Sequence, residues 1–218
     1  LPLRAGWDIE FALLFSAGCS MTASPIPFSP PILGNVLFPQ ARLLRNVLLV
    51  IGGSLALTLS AKVQVPFWPV PITMQSMVAL LIGIALGSRL GALTILAYLA
   101  EGAAGLPVFA GMAAGPAYIA GPTGGYLVGF LLGGAFAGCA AEHGWARDLP
   151  RTLLVTLLGH VLIFAPGVFW LAALLGWSRA IAFGIAPFLL ATVLKSGLGA
   201  AIVVALWRLA DGRSPAKD

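Results

Sequence analysis

Charge is scarce in this sequence: Lys, Arg, Asp and Glu together make up 9% of its 218 residues, while 60% are hydrophobic. That balance excludes a soluble globule of this length, which needs far more polar side chains to cover its surface. Cysteine is nearly absent. Cys19 and Cys139 have no CxxC spacing and no second pair, which excludes a disulfide framework and a thiolate metal centre. Histidine is equally rare, and His160, inside an apolar run, has no second His or carboxylate at helical spacing. Helix packing is the better reading for it than metal binding or proton transfer. No phosphate loop is present either: Lys195-Ser196 follows Ala191-Thr-Val-Leu without a glycine-rich turn, so ATP hydrolysis is not expected of this chain. Without a GxSxG elbow, an HExxH helix or a carboxylate pair within the apolar runs, an intramembrane hydrolase lacks its machinery. The net charge of +5 comes with no basic cluster, which argues against nucleic acid.

What remains is a membrane protein. A bilayer-spanning helix needs roughly 20 apolar residues, and six runs approach or reach that length: Leu43 to Ala61, Ile72 to Leu86, Leu90 to Ala103, Tyr126 to Ala141, Thr152 to Leu175 and Ile181 to Leu206. The second and third are short and read as a helical hairpin. The runs are uninterrupted rather than alternating, which excludes a β-barrel pattern. The expectation is an all-α integral membrane protein, with a six-helix domain over 43–207 and a tail over 208–218. With six spans, Arg42, Arg45, Arg89, Arg147, Arg151, Arg208, Arg213 and Lys217 share one side, and only Lys62 and Arg179 flank the other. The excess of cations faces the cytoplasm, so both termini are expected there.

Before the first span, the chain begins at Leu1 and its first methionine is Met21. Residues 1–20 read as a non-native or disordered extension. The apolar run Phe11 to Cys19 follows Asp8 and Glu10, which is wrong for a signal peptide. Residues 21–42, with prolines at 25, 27, 30, 31 and 39, read as an extended arm.

Three unusual segments fall on the side opposite the cations. Two are glycine-rich and uncharged, Gly105-Leu-Pro-Val-Phe-Ala-Gly111 and Gly121-Pro-Thr-Gly-Gly-Tyr126; the third, Lys62 to Pro71, carries Pro66, Phe67, Trp68, Pro69 and Pro71. Irregular backbone survives beside a bilayer where protein covers it or where it lines a wet cavity. Trp68 also suits a plain interfacial anchor. Just beyond, Thr73 and Gln75 open the second run, and a buried Gln75 amide needs a partner, either a ligand or a neighbouring helix. Lys195 is the sharpest residue. It is the only charge between Ile181 and Trp207, about 12 Å beyond Pro187 at about 1.5 Å per residue, too deep for easy snorkelling. Two readings stand: a structural pair with Glu101, or neutralisation of an anionic ligand. Small residues recur at helical spacing, Gly52-xxx-Ala56 on the first run and Gly129-xxx-Gly133-xxx-Ala137 on the fourth, where helices can approach closely.

Taken in order, Pro66-Phe-Trp-Pro-Val-Pro-Ile-Thr-Met-Gln75, then Tyr98-Leu through Gly105-Leu-Pro-Val-Phe-Ala-Gly111, then Gly121-Pro-Thr-Gly-Gly-Tyr126, closely resemble the BioY family, the biotin-binding S components of energy-coupling factor (ECF) transporters. The resemblance covers roughly residues 43–207. It implies a six-helix S component with structured outer loops, in a bacterial cytoplasmic (inner) membrane, that captures biotin from outside. Its partners would be a transmembrane coupling protein and two cytoplasmic ATPases, besides membrane lipid, with toppling of the S component releasing the vitamin inward. No cofactor is implied; biotin is the transported ligand. The family's contact with the coupling protein maps to Gly52 and Ala56. For the ligand, Gln75, Thr123, Tyr126 and the amides of Gly124 and Gly125 are expected to meet polar groups, and Phe67, Trp68 and Phe109 to cover the apolar ring. Lys195 matches the family's sixth-helix lysine at the substrate site, and Thr192, three residues before it, is expected at that site too.

This chain also departs from the pattern. Thr192 stands where family members commonly carry an aspartate three residues before that lysine, Met112-Ala-Ala replaces a stretch with an asparagine in some relatives, and Leu127 falls at a binding-site arginine of certain members. Two other functions therefore stay open: an S component for another water-soluble vitamin, or a membrane enzyme using His160 or Lys195.

Overall fold

The computed structural model describes residues 42–211. The Pro-rich arm up to residue 41, the extension before it, and the tail from 212 onward lie outside the described residues. Within them the order is α1 (Arg42–Lys62), β1 (Gln64–Val65), β2 (Ile72–Thr73), α2 (Gln75–Ala103), α3 (Pro116–Ala120), α4 (Gly124–Glu142), α5 (Leu149–Leu175), α6 (Trp177–Gly184), a 3-10 turn (Ala186–Phe188) and α7 (Leu189–Asp211). Five stretches are long and apolar enough to cross a membrane: Leu43–Lys62, Gln75–Ala103, Gly124–Glu142, Leu149–Leu175 and Trp177–Ala210.

The second and third expected runs occur as the two arms of α2. Gly87 interrupts the helix with φ 83° and ψ 174°, a conformation that L side chains avoid. The contacts across the break show that the chain reverses there. Gln75 Nε2 lies 2.5 Å from Tyr98 Oη, although 23 residues of straight helix would separate them by about 35 Å. A Cβ on Gly91 would likewise sit 3.0 Å from the Cα of Gly83. Both pairs are symmetric about Gly87, so the arms are antiparallel.

The sixth expected run, Ile181 to Leu206, is not one helix. Pro187 lacks the amide that continues a helix and sits in the 3-10 turn, which separates α6 from α7. The fifth begins earlier than expected, because Asp148 caps α5 by accepting from the Arg151 amide at 3.0 Å, with Pro150 in the first turn. The start of the expected second run is also corrected. Ile72–Thr73 is a strand, paired antiparallel with β1 in the register Gln64↔Thr73 and Val65↔Ile72, so the architecture is mostly helical with one small β-ribbon.

The core lies where α2, α4 and α5 meet. α4 is the central helix, and its glycines are what allow that. A Cβ at Gly129 would collide with the Ile163 backbone of α5, and one at Gly138 would collide with the Gly87–Ser88 backbone at the α2 reversal. The small-residue face of α4 is therefore spent on packing within the chain. α1 differs: Leu48, Ile51, Leu55 and Leu59 are exposed, and a Cβ on Gly52 would touch nothing within 4 Å.

Cross-links identify the two ends of the bundle. At one, Lys62 reaches the 105–111 loop. At the other, the Ser88 amide and hydroxyl donate to the Glu142 carboxylate at 2.7 and 3.0 Å, and Arg147 stacks over Trp207 at 4.6 Å from the ring centroid.

Candidate ligand cavity

A small, partly open cavity lies at the Lys62 end of the bundle. β2 and the start of α2 supply Thr73, Gln75 and Ser76; α4 supplies Tyr126, Leu127 and Phe130; α5 supplies Ile163 and Phe164; Phe188 and Lys195 close the remaining side. Val70, Pro71, Ala110 and Thr123 from the connecting loops and Tyr118 from α3 complete the wall. The rings of Tyr118, Tyr126, Phe130, Phe164 and Phe188 form one part of the wall. Tyr126 stacks on Phe188 with centroids 6.3 Å apart and meets Phe164 edge-on at 6.0 Å, while its hydroxyl donates to the Gly184 carbonyl at 2.9 Å.

Polar groups collect on one side of this wall. Lys195, only 8% exposed, donates to the Thr73 carbonyl at 2.5 Å, and an ammonium carries three donors. The Thr73 hydroxyl lies 3.3 Å from Gln75 Oε1 and from the Gln75 amide. Gln75 Nε2 donates to the Tyr98 hydroxyl, which donates in turn to the Val108 carbonyl at 3.1 Å. This chain of bonds joins both arms of α2 to the 105–111 loop and orients the Gln75 amide. Tyr98→Phe would leave two buried polar groups without that partner, at about 1–3 kcal/mol. A clearly lower thermal midpoint of the purified protein is expected; an unchanged one would show that Gln75 finds another partner.

The structure answers the two readings left open above. Lys195 does not pair with Glu101, which instead accepts a short hydrogen bond from Ser54 across α1 and α2. Gln75 does bond a neighbouring helical arm, yet it also lines the cavity. His160 is buried between α5 and α7, with Nδ1 2.8 Å from the Thr156 carbonyl and 3.1 Å from Ser196 Oγ, the helix-packing arrangement.

Of the residues expected at the site, Gln75, Thr123, Tyr126 and Lys195 line the cavity together. The others stand apart. Trp68 is 74% exposed and contacts Phe183 edge-on at 6.5 Å, and Phe67 is also outside the wall. Phe109 is fully buried behind it, stacked at 5.0 Å on Tyr118, which does face the cavity. Gly124 donates its amide to the Gly121 carbonyl at 3.1 Å, and Gly125 lies against the Pro166 carbonyl of α5. These two glycines serve close packing at the start of α4 rather than an open lining of amides. Thr192 lies on α7 outside the wall.

Tyr118, Phe130, Phe164 and Phe188 were not foreseen. A signal existed for Phe130, one helical turn beyond Tyr126 on the same face; the others are brought in by tertiary packing. Leu127, noted above as a departure, is in the wall and 4% exposed.

A multi-pass helical membrane protein with a cavity at one end, lined by aromatic, apolar and polar side chains around a buried ammonium, is the class that this fold and site define. Its relatives agree. The model of the BioY family matches residues 36–212. A probable biotin transporter BioY of Pyrococcus horikoshii is 38% identical over 148 residues, covering 68% of this chain and 86% of that protein. The biotin transporter BioY of Thermotoga maritima is 36% identical over 154 residues, 70% and 90% of the two chains, and the biotin transporter BioY2 of Lactococcus lactis is 31% identical over 173 residues, 78% and 91%. Among solved structures, the S-component for biotin from an ECF-type ABC transporter shares the fold, with a TM-score of 0.68 at 23% identity over 77% of this chain and 93% of that one. The chain belongs to the BioY family.

Proposed function

We propose that this protein captures biotin at the outer face of the cytoplasmic membrane and delivers it inward as the substrate-specific S component of an ECF-type transporter. The observation that carries the reading is the Lys195 ammonium, buried at the edge of a cavity that it shares with Gln75, Thr123, Tyr126, Phe164 and Phe188. A buried charge with a single carbonyl partner is poorly compensated, and a ligand carboxylate supplies the missing counter-charge. Biotin offers that carboxylate, an apolar thiophane ring for the Tyr126, Phe164 and Phe188 wall, and a ureido group that both donates and accepts, matching Gln75 and Thr123. The relatives named above as biotin transporters support the same ligand.

The reversal at Gly87 supports counting the arms of α2 as two crossings, hence six in all, with both termini on the side of Arg89, Arg147 and Arg208. That side is assigned to the cytoplasm. Gly52 and Ala56, open on α1, are assigned to the coupling membrane protein, whose two ATPase partners would hydrolyse ATP. The role is that of a binding subunit, not an enzyme.

The test is equilibrium binding of the purified protein to biotin, thiamine and riboflavin, together with mass spectrometry of whatever copurifies. Biotin is expected to copurify and to outcompete the other two. An absence of biotin binding at micromolar concentration, or a preference for another vitamin, would overturn the assignment.

A further inference from the structure

Lys62 is the last residue of α1, at the cavity end, and its ammonium makes three hydrogen bonds to one loop: to the carbonyls of Pro107 at 2.6 Å, Phe109 at 2.9 Å and Gly111 at 2.5 Å. All three donors of the ammonium are thereby used. The acceptors are alternate residues of the loop, so the backbone curls around the cation. Among the described turn and loop bonds, none of these three carbonyls receives a backbone N–H. Backbone acceptors need partners, and here a side chain from another element supplies them.

The loop so held contributes to the cavity in three ways. Ala110 is in its wall; Phe109 backs Tyr118; and the Val108 carbonyl ends the hydrogen-bond chain that orients Gln75. Lys62 itself is exposed and does not line the cavity. It therefore acts on a ligand only through the loop.

We propose that Lys62 is a positioning residue that clamps the 105–111 loop against the cavity and so sets how long a bound ligand stays. The proposal rests on the biotin reading for its ligand, but the clamp itself is a property of the chain. Because Lys62 continues α1 without a break, the loop is tied to the end of the helix that faces the membrane.

Lys62→Met keeps the aliphatic stem and removes every donor; Lys62→Gln keeps a shorter amide donor. Two measurements on the full chain in nanodiscs separate the clamp from its ligand. The first is hydrogen exchange of amides 105–115 without ligand. Lys62→Met should exchange at least about 10-fold faster there, as expected from losing about 1.4 kcal/mol of local protection, with α4 unchanged and Lys62→Gln intermediate. The second is dissociation of labelled biotin. It should accelerate at least about 10-fold in Lys62→Met while association changes less than about 3-fold, since affinity changes of this kind fall mainly on dissociation.

Unchanged exchange at 105–115 overturns the proposal whatever the ligand proves to be. Faster exchange with unchanged biotin dissociation overturns its functional half. If Lys62→Met does not fold, Lys62→Gln with wild-type exchange and dissociation overturns it equally. Wild-type protein that shows no biotin binding overturns the biotin reading alone, and the exchange result then decides the clamp.

Discussion

Replacing Lys195 with alanine is expected to weaken biotin binding by at least about 30-fold, since truncating one partner of a buried, hydrogen-bonded charge pair typically costs about 2–5 kcal/mol. The fold should survive, because the variant removes a poorly compensated buried cation rather than a packing contact. The decisive comparison uses the uncharged amide of biotin alongside biotin. If Lys195 meets the carboxylate, the wild type should prefer biotin over its amide, and the preference should largely vanish in Lys195→Ala. Equal losses for both ligands would move Lys195 to the ureido group. Normal biotin affinity in the variant would remove Lys195 from the site.

A second large effect is expected at Gly129. A Cβ there meets the backbone of Ile163 on α5, which cannot swing aside as a flexible side chain would. Gly129→Val should cost about 3 kcal/mol or more by overpacking, lowering the thermal midpoint by about 6–12 °C for a chain of this size, or prevent assembly of the bundle. Gly52→Val is the control. It meets nothing within 4 Å, so the isolated protein should melt as the wild type does and bind biotin normally. If α1 is the face used by the coupling protein, the same substitution should abolish uptake in cells carrying the whole transporter. Gly129→Val that melts like the wild type would mean that α4 and α5 do not pack as described.

Much of this was legible before any coordinates. The apolar runs marked the helices, because hydrophobic length is a one-dimensional property, and Lys195 stood out since a lone cation in such a run is rare. Gln75 is marked by its amide at the start of an apolar run, Thr123 and Tyr126 by the motif resemblance, and all three line the cavity with Lys195. Other residues that the same resemblance implies lie outside the wall. Phe67 and Trp68 are large and sit in a proline-rich turn, yet Trp68 faces outward. Gly124 and Gly125 looked like open backbone, but their missing side chains make room for Ile119, Pro166 and Trp170. No one-dimensional signal separates a glycine that serves a ligand from one that serves a neighbouring helix. Phe188 was invisible for another reason: it reaches the wall only because the chain breaks at Pro187 and redirects α7.

The reversal at Gly87 has a further consequence, for the lipid rather than for the ligand. At about 1.5 Å per residue, the arm 75–86 is only about 18 Å long and the arm 88–103 about 24 Å, both shorter than the roughly 30 Å hydrocarbon layer. A short helix facing lipid would force the bilayer to thin around it. Here the hairpin is mostly enclosed by its neighbours, whereas α1, of full spanning length, is mostly uncovered. The hydrophobic thickness felt by the membrane on that side is that of α1, which leaves the hairpin free to be short and the space above it free to hold a ligand.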